Sequence, residues 1–164
     1  MESKKSEYCR AAFFYREIMN AFNMDFSLYE DLVKLIKPES VLEIGCGMGR
    51  LFKVFEQKTK FITGIDLNEE MINQGRKYFA ENNLNDTVVE FCKADIRSFS
   101  TGRQYDMIVI ALSALKHLKT NDERMMTLRC AKKHLNKNGF IIIDHAPFPM
   151  PQVQLNGLMP KIQW

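Results

Sequence analysis

The stretch "LEIGCGMGRL", Leu42 to Leu51, sets glycines at alternate positions, Gly45, Gly47 and Gly49. Side chains are missing where a ligand would otherwise meet them, so the spacing predicts a loop whose backbone is closely approached. Carboxylates accompany it. Glu43 stands just before the loop, Asp66 follows 23 residues after Glu43, and Asp95 lies further on. An ionised carboxylate accepts hydrogen bonds with both oxygens and can hold a pair of hydroxyls or an amino group. His117, His134 and His145 complete the titratable set, and an imidazole titrates near working pH, as a general base must.

Three kinds of ligand compete for such a loop. A nucleoside triphosphate needs a run ending in Gly-Lys-Ser/Thr. Here the loop ends Gly49-Arg50-Leu51, which excludes that reading. A dinucleotide needs G-x-G-x-x-G, and its third glycine falls at Arg50, which counts against a nicotinamide cofactor. The third candidate carries an adenosine and an amino-acid end with no phosphate.

These residues need strands and helices to hold them. Apolar residues from Tyr8 to Phe22 recur at helical spacing, and a second helix is predicted from Ser27 to Ile36, stopped before Pro38. "SVLEI" reads as a strand opening the glycine loop, and Leu51 to Gln57 as a helix with Leu51, Val54 and Phe55 inward. "KFITGID", "TVVEFCKAD", "YDMIVIAL" and "FIIID" read as four further strands. Between them fall a helix in "NEEMINQGRKYFAENN" and one from about Asn121 to Leu135, capped by Asn121 or Asp122 and ended by Asn138-Gly139. Alternating strands and helices predict an α/β fold: a three-layer, doubly wound, mainly parallel sheet. The apolar runs "DMIVIAL" and "FIIID" suit strands buried on both faces. In such a sheet ligands sit beyond the carboxyl ends of the strands, at the switch point, where the glycine loop lies.

With these elements in order, "EIGCGMGRL" resembles motif I of the class I S-adenosylmethionine-dependent methyltransferases, whose pattern is acidic-x-G-x-G-x-G. "GIDLNEEMI" looks like the family's segment ending the second strand, and "ADI" like the one after the third. "YDMIVIALSALKHL" and "LNKNGFIIID" are similar to its fourth- and fifth-strand segments, so the resemblance runs over about residues 38 to 145. It implies a Rossmann-like core binding S-adenosylmethionine, with S-adenosylhomocysteine as product. It also implies cofactor contacts at Glu43, Gly45, Cys46, Gly47, Gly49, Asp66, Leu67, Asp95, Ile96 and Ala111, with Tyr15 on a helix that acts as a lid. In that family Asp66 would take the ribose hydroxyls, Asp95 the adenine amino group, and Glu43 the methionine end.

Each residue has a plainer role beside the implied one. Asp66 could only end a strand, Asp95 could only make a turn, and Glu43 could tie down the glycine loop while also facing the ligand. Cys46 reads as a small filler, and Arg50 as a solvated residue opening a helix. His117, on the turn after strand four, is the candidate general base, and it could equally pack against the helix below. His145 follows strand five at the same edge, while His134 suits a helix C-terminus.

The domain expectation is N-terminal helices over 1–37, a cofactor-binding core over 38–145 and a proline-rich tail over 146–164. Methyl transfer by in-line displacement rests on proximity and orientation, so no fixed catalytic triad is expected. The "NPPY"-like tetrapeptide is replaced by "IALS", which points to an N or O atom of a small molecule. The alternative is a non-catalytic binding or partner domain without a complete acceptor site. The family continues past the fifth strand with a helix and two more strands. The short tail here implies a fragment, an open sheet edge covered by a partner chain, a second copy or the tail itself, or a domain without turnover.

The bulk properties agree with a small-molecule enzyme. A net charge of +3 with spread lysines makes a nucleic-acid partner unexpected. Cys9, Cys46, Cys92 and Cys130 form no CxxC pair, so no metal site is expected, and reduced thiols suit the cytoplasm. The polar N-terminus lacks the apolar stretch of a secretory signal, and no run approaches the roughly 18 residues of a membrane span.

Overall fold

The computed structural model describes residues 23–56, 58–82 and 86–145. The predicted N-terminal helix, including Tyr15, and the tail over 146–164 lie outside the described residues. The elements in chain order are α1 (Phe26–Ile36), β1 (Ser40–Ile44), α2 (Phe52–Phe55), β2 (Phe61–Asp66), α3 (Glu69–Glu81), β3 (Val88–Lys93) and β4 (Tyr105–Ile110). A 3-10 turn over Ala114–His117, α4 (Asn121–Lys133) and β5 (Leu135–Ile143) complete them.

The strands form one five-stranded sheet in the order β3-β2-β1-β4-β5, every pair parallel. The alternating side-chain directions of a strand divide the apolar residues between two faces. Val41, Ile62, Met107 and Val109 join Tyr29 and Val33 of α1, Phe52 and Phe55 of α2, and Ile72 and Phe79 of α3 in one cluster. Leu42, Ile44, Ile65, Ile108 and Ile110 meet Ala131 of α4 in the other. That makes three layers. Chain connections leave β1 toward β2 on one side and reach β4 on the other, so the switch point falls at the end of β1.

Local chemistry explains the boundaries. Asn68 caps α3 by accepting from the backbone N–H of Glu70 and Met71. The N-cap of α4 is Thr120, one residue before the expected Asn121 or Asp122, because Thr120 and Glu123 form a reciprocal capping box. Asp106 ties the start of β1 to β4: its Oδ2 accepts from the N–H of Glu39 and Ser40 and from the Ser40 hydroxyl, each at 3.0 Å. α2 is one turn long, and Phe52 is buried along with the three residues expected to point inward.

Two expectations for the last strand are overturned. Asn138-Gly139 does not end the helix; α4 stops at Lys133, and both residues lie inside β5, where the register shifts between Tyr105 and Met107. Nor is "FIIID" buried on both faces. β5 is an edge strand, with Phe140 53% exposed and Ile143 41%. An apolar run of this length does not tell an edge strand from a central one, since only the neighbours decide.

Candidate functional site

At the carboxyl ends of β1, β2 and β4 opens a cavity of about 1100 Å³, ample for a small-molecule ligand. Its walls bring together Glu43, Gly45, Cys46, Gly47, Gly49, Asp66, Leu67, Asp95, Ile96, Ala111 and His117. Of the residues the sequence singled out for the ligand, only Tyr15 falls outside the described residues.

The glycine loop is held from below and bare above. Gly45 and Cys46 donate their N–H groups to the Ile65 carbonyl at 2.8 and 3.1 Å, fastening the loop to the end of β2. Gly47 has a φ of +56°, and a side chain there would point into open space, the nearest atom being Met71 Cε at 4.0 Å. That is a cradle kept free for a ligand. Gly49, at φ +79°, serves packing instead, because a Cβ would strike the Phe52 and Phe91 rings at 2.9 Å. Cys46 is buried beneath the loop, and burial pushes its thiol well up, so it is no nucleophile.

Asp66 has two duties. Its Oδ2 accepts from Gly47 N–H and its Oδ1 from Asn68 N–H, both at 2.8 Å, so it shapes the glycine loop and the entry to α3. Each carboxylate oxygen can accept twice. One acceptor site on each therefore remains for a ligand diol. The structural duty thus leaves the same side chain free to accept from a ligand.

Glu43 is the unusual residue. The strand alternation sets it on the same face as Val41, under α1, where it is 4% exposed. Its Oε2 is buried without a hydrogen-bond partner. Burial pushes its carboxyl up to about 8; Arg50 opposes the shift, and Asp66, Asp25 and Asp144 add to it. A buried, unpartnered acceptor at a cavity wall suits a cationic ligand group.

Asp95 is engaged by Arg97. Its Oδ1 accepts from Arg97 N and Nε at 2.9 Å and its Oδ2 from Nη2 at 2.6 Å, and this guanidinium holds the carboxyl well below the usual range. The other arm of Arg97 reaches Glu123. Glu123 also accepts from Lys119 and Thr120 N–H, so this end of the cavity is wired to the start of α4.

Arg50 corrects the sequence reading. It is not solvated: with side-chain exposure of 10%, it makes a bidentate pair with Asp25 at 2.6 and 2.7 Å and lies over the Phe26 ring. It clamps the start of α1 to the end of the glycine loop. Nothing in the sequence links positions 25 residues apart, so that pair was invisible there. The Thr120-x-x-Glu123 box is legible in the sequence as a capping-box pattern. His117 is exposed on the 3-10 turn at the cavity wall. His145 is exposed after β5. His134 is structural, stacked on Phe99 with Nδ1 2.9 Å from the Cys130 carbonyl.

The far wall is a strained turn. Leu112 and Ser113 both have left-handed backbones, φ 49° and 57°, each costing on the order of 1–3 kcal/mol. Ser113 N–H donates to Asp144 Oδ1 at 3.2 Å, and Tyr29 donates its hydroxyl to Asp144 Oδ2 at 2.9 Å.

Comparison with known proteins gives consistent results. A methyltransferase domain family matches residues 41–139. A dTDP-3-amino-3,4,6-trideoxy-alpha-D-glucopyranose N,N-dimethyltransferase of Streptomyces venezuelae is 28% identical over 121 residues, 73% of this chain and 48% of its own length. The putative methyltransferase YqeM of Bacillus subtilis is 30% identical over 139 residues, covering 79% of this chain and 54% of its own. The crystal structure of Streptomyces venezuelae DesVI aligns with a TM-score of 0.67 at 26% identity, over 84% of this chain and 56% of that one. The chain spans about half the length of the curated relatives it matches.

Proposed function

The chain belongs to the methyltransferase domain family, and on that premise we propose that its cavity binds S-adenosylmethionine for methyl transfer to an amine or hydroxyl of a small molecule. The observation that carries this reading is Glu43, a buried carboxyl with an unpartnered oxygen at the wall of a glycine-cradled cavity. The ligand that fits has a cationic end for Glu43, a diol for the open acceptor sites of Asp66, and an amino group for Asp95. S-adenosylmethionine has all three. The Streptomyces venezuelae relative is an N,N-dimethyltransferase of an amino sugar, which supports a small-molecule acceptor.

When bound, the cofactor supplies a methyl carbon already activated by its sulfonium. The chain's own work is binding and alignment, because a correctly held pair of reactants removes much of the barrier. Glu43, ionised against the ligand's ammonium, would hold the methionine end. Asp66 and the bare Gly47 backbone would hold the ribose, and Asp95, oriented by Arg97, would take the adenine amino group. Leu112, on the strained turn, lines the cavity and would help to keep water from the methyl donor. In this reading His117, exposed at the cavity wall, would take the acceptor's proton as general base.

A further strand from a second copy or a partner chain would cover the outer edge of β5, near exposed Phe140 and Ile143. A cytoplasmic setting is supported by the free thiols of Cys46, Cys92 and Cys130. Among the described residues no helix is long and apolar enough to cross a membrane.

Calorimetric titration tests the cofactor assignment. S-adenosylmethionine and S-adenosylhomocysteine should both bind the wild type, and Asp66→Ala should weaken both by at least about tenfold, the loss expected for charge-assisted hydrogen bonds. No binding to the wild type, or equal binding to both proteins, overturns it.

A further inference from the structure

The cluster at the end of β5 is not used by the reaction described above, yet it connects three parts of the cavity. Asp144 donates its own N–H to the Ile110 carbonyl at 3.2 Å, fixing it beside the end of β4. One carboxylate oxygen then accepts from Ser113 N–H and the other from the Tyr29 hydroxyl. Tyr29 is fully buried in α1, and burial, followed by the hydrogen bond to Asp144, keeps its phenol protonated as a donor. Ser113 is the second of two consecutive left-handed residues, a conformation that persists only where the surroundings impose it. Its neighbours Ala111, Leu112 and Ala114 line the cavity. Ala114 Cβ sits 3.0 Å from where a Cβ on Gly45 would stand, so the turn abuts the glycine loop. A contiguous path thus runs from α1 through Asp144 and the strained turn to that loop.

We propose that Asp144 is a positioning residue: by accepting from Tyr29 and Ser113 it locks the Leu112–Ser113 turn and so shapes the cavity wall for the cofactor. It touches no ligand itself and acts through Ser113. The affinity part of this inference rests on the S-adenosylmethionine reading; the locking of the turn does not. A side chain that only stabilised the fold would lower the melting temperature and leave the affinity of the folded protein alone. A lock on the turn changes affinity and local opening while the protein stays folded.

The test uses the whole chain as wild type, Asp144→Ala, Asp144→Asn and Tyr29→Phe, well below every melting midpoint. Two quantities are read: calorimetric affinity for S-adenosylmethionine, and amide hydrogen exchange in segments 111–118 and 26–36. Asp144→Ala should speed exchange in 111–118 and weaken binding by about tenfold, within the usual range for coupled sites. Asp144→Asn keeps a carbonyl for Ser113 N–H and should recover most of both. Tyr29→Phe should loosen 26–36 and lie between. Asp144→Ala with wild-type exchange and affinity, or Asp144→Asn no better than Asp144→Ala, overturns the proposal. Should Asp144→Ala fail to fold, Tyr29→Phe decides, and wild-type behaviour in both readouts overturns it. Should the wild type bind no S-adenosylmethionine, the cofactor reading falls, and the exchange results still decide whether Asp144 locks the turn.

Discussion

Glu43 carries a structural cost that the proposed binding role would offset. Water is excluded from its carboxyl, so the folded chain takes up its proton far more readily than the unfolded chain, about 8 against 4.5. The sign follows directly. The stability linked to that proton is whole below about pH 4.5 and is lost as pH rises through about 8. In the absence of ligand, Glu43→Gln should therefore melt higher than wild type at pH 8.5, the gap closing as pH falls toward 4.5 in thermal scans. Its S-adenosylmethionine affinity should move the other way, falling by about tenfold at pH 8.5 because a neutral amide cannot offer a charge-assisted contact. A variant equal to wild type in both measurements would remove Glu43 from the site. The Glu-x-Gly pattern made this residue legible in the sequence; the burial that leaves its Oε2 without a hydrogen-bond partner was not, since the residues packed around it come from distant positions.

At the scale of elements, α1 matters more than its sequence suggests. Periodicity alone located it to within one residue, Phe26–Ile36 against the predicted Ser27–Ile36. Its function is set by two long-range contacts: Asp25 to Arg50 at its start, and Tyr29 to Asp144 one turn later. Both fasten it beside the cavity. Removing one member of a buried ion pair strands the other, which typically costs about 3–5 kcal/mol. Arg50→Ala should cost about 3 kcal/mol in chemical denaturation on that principle, and Arg50→Lys should recover only part, because an ammonium cannot make the two-pronged contact. Loss below about 1 kcal/mol would mean that the pair is solvated, as the sequence had suggested. α4 teaches the complementary lesson. It starts at Asn121, as its pattern predicts, but Asn and Asp are good caps in their own right, and only the Thr120–Glu123 reciprocity identifies Thr120 as the cap in use.

For the whole molecule, the decisive feature is the order β3-β2-β1-β4-β5, which centres β1 and leaves β5 at an edge. Centring β1 buries all five of its residues and delivers the glycine loop to the switch point. Among the described residues no strand pairs with the far side of β5, where Phe140 and Ile143 are exposed, and such an edge tends to pair with another strand. Phe140→Lys should leave the melting temperature within about 2–4 °C of wild type, as for an exposed site, and reduce self-association in light scattering. Unchanged association would shift attention from this edge to other exposed apolar residues, such as Met125 and Met126.

The sequence by itself determined what depends on neighbours along the chain. Strand and helix periods, the alternate glycines, and the carboxylates at the strand ends are local patterns, and together they specified an α/β sheet, its binding loop and the residues of the cavity wall. The tertiary structure decided what depends on distant residues meeting. It made "FIIID" an edge, turned Arg50 from a surface residue into a clamp, left one oxygen of Glu43 without a hydrogen-bond partner and joined Asp144 to a strained turn. The physical reason is one of range. Backbone preference and hydrophobic alternation act over a few residues, whereas burial, desolvation and ion pairing exist only once the layers have closed.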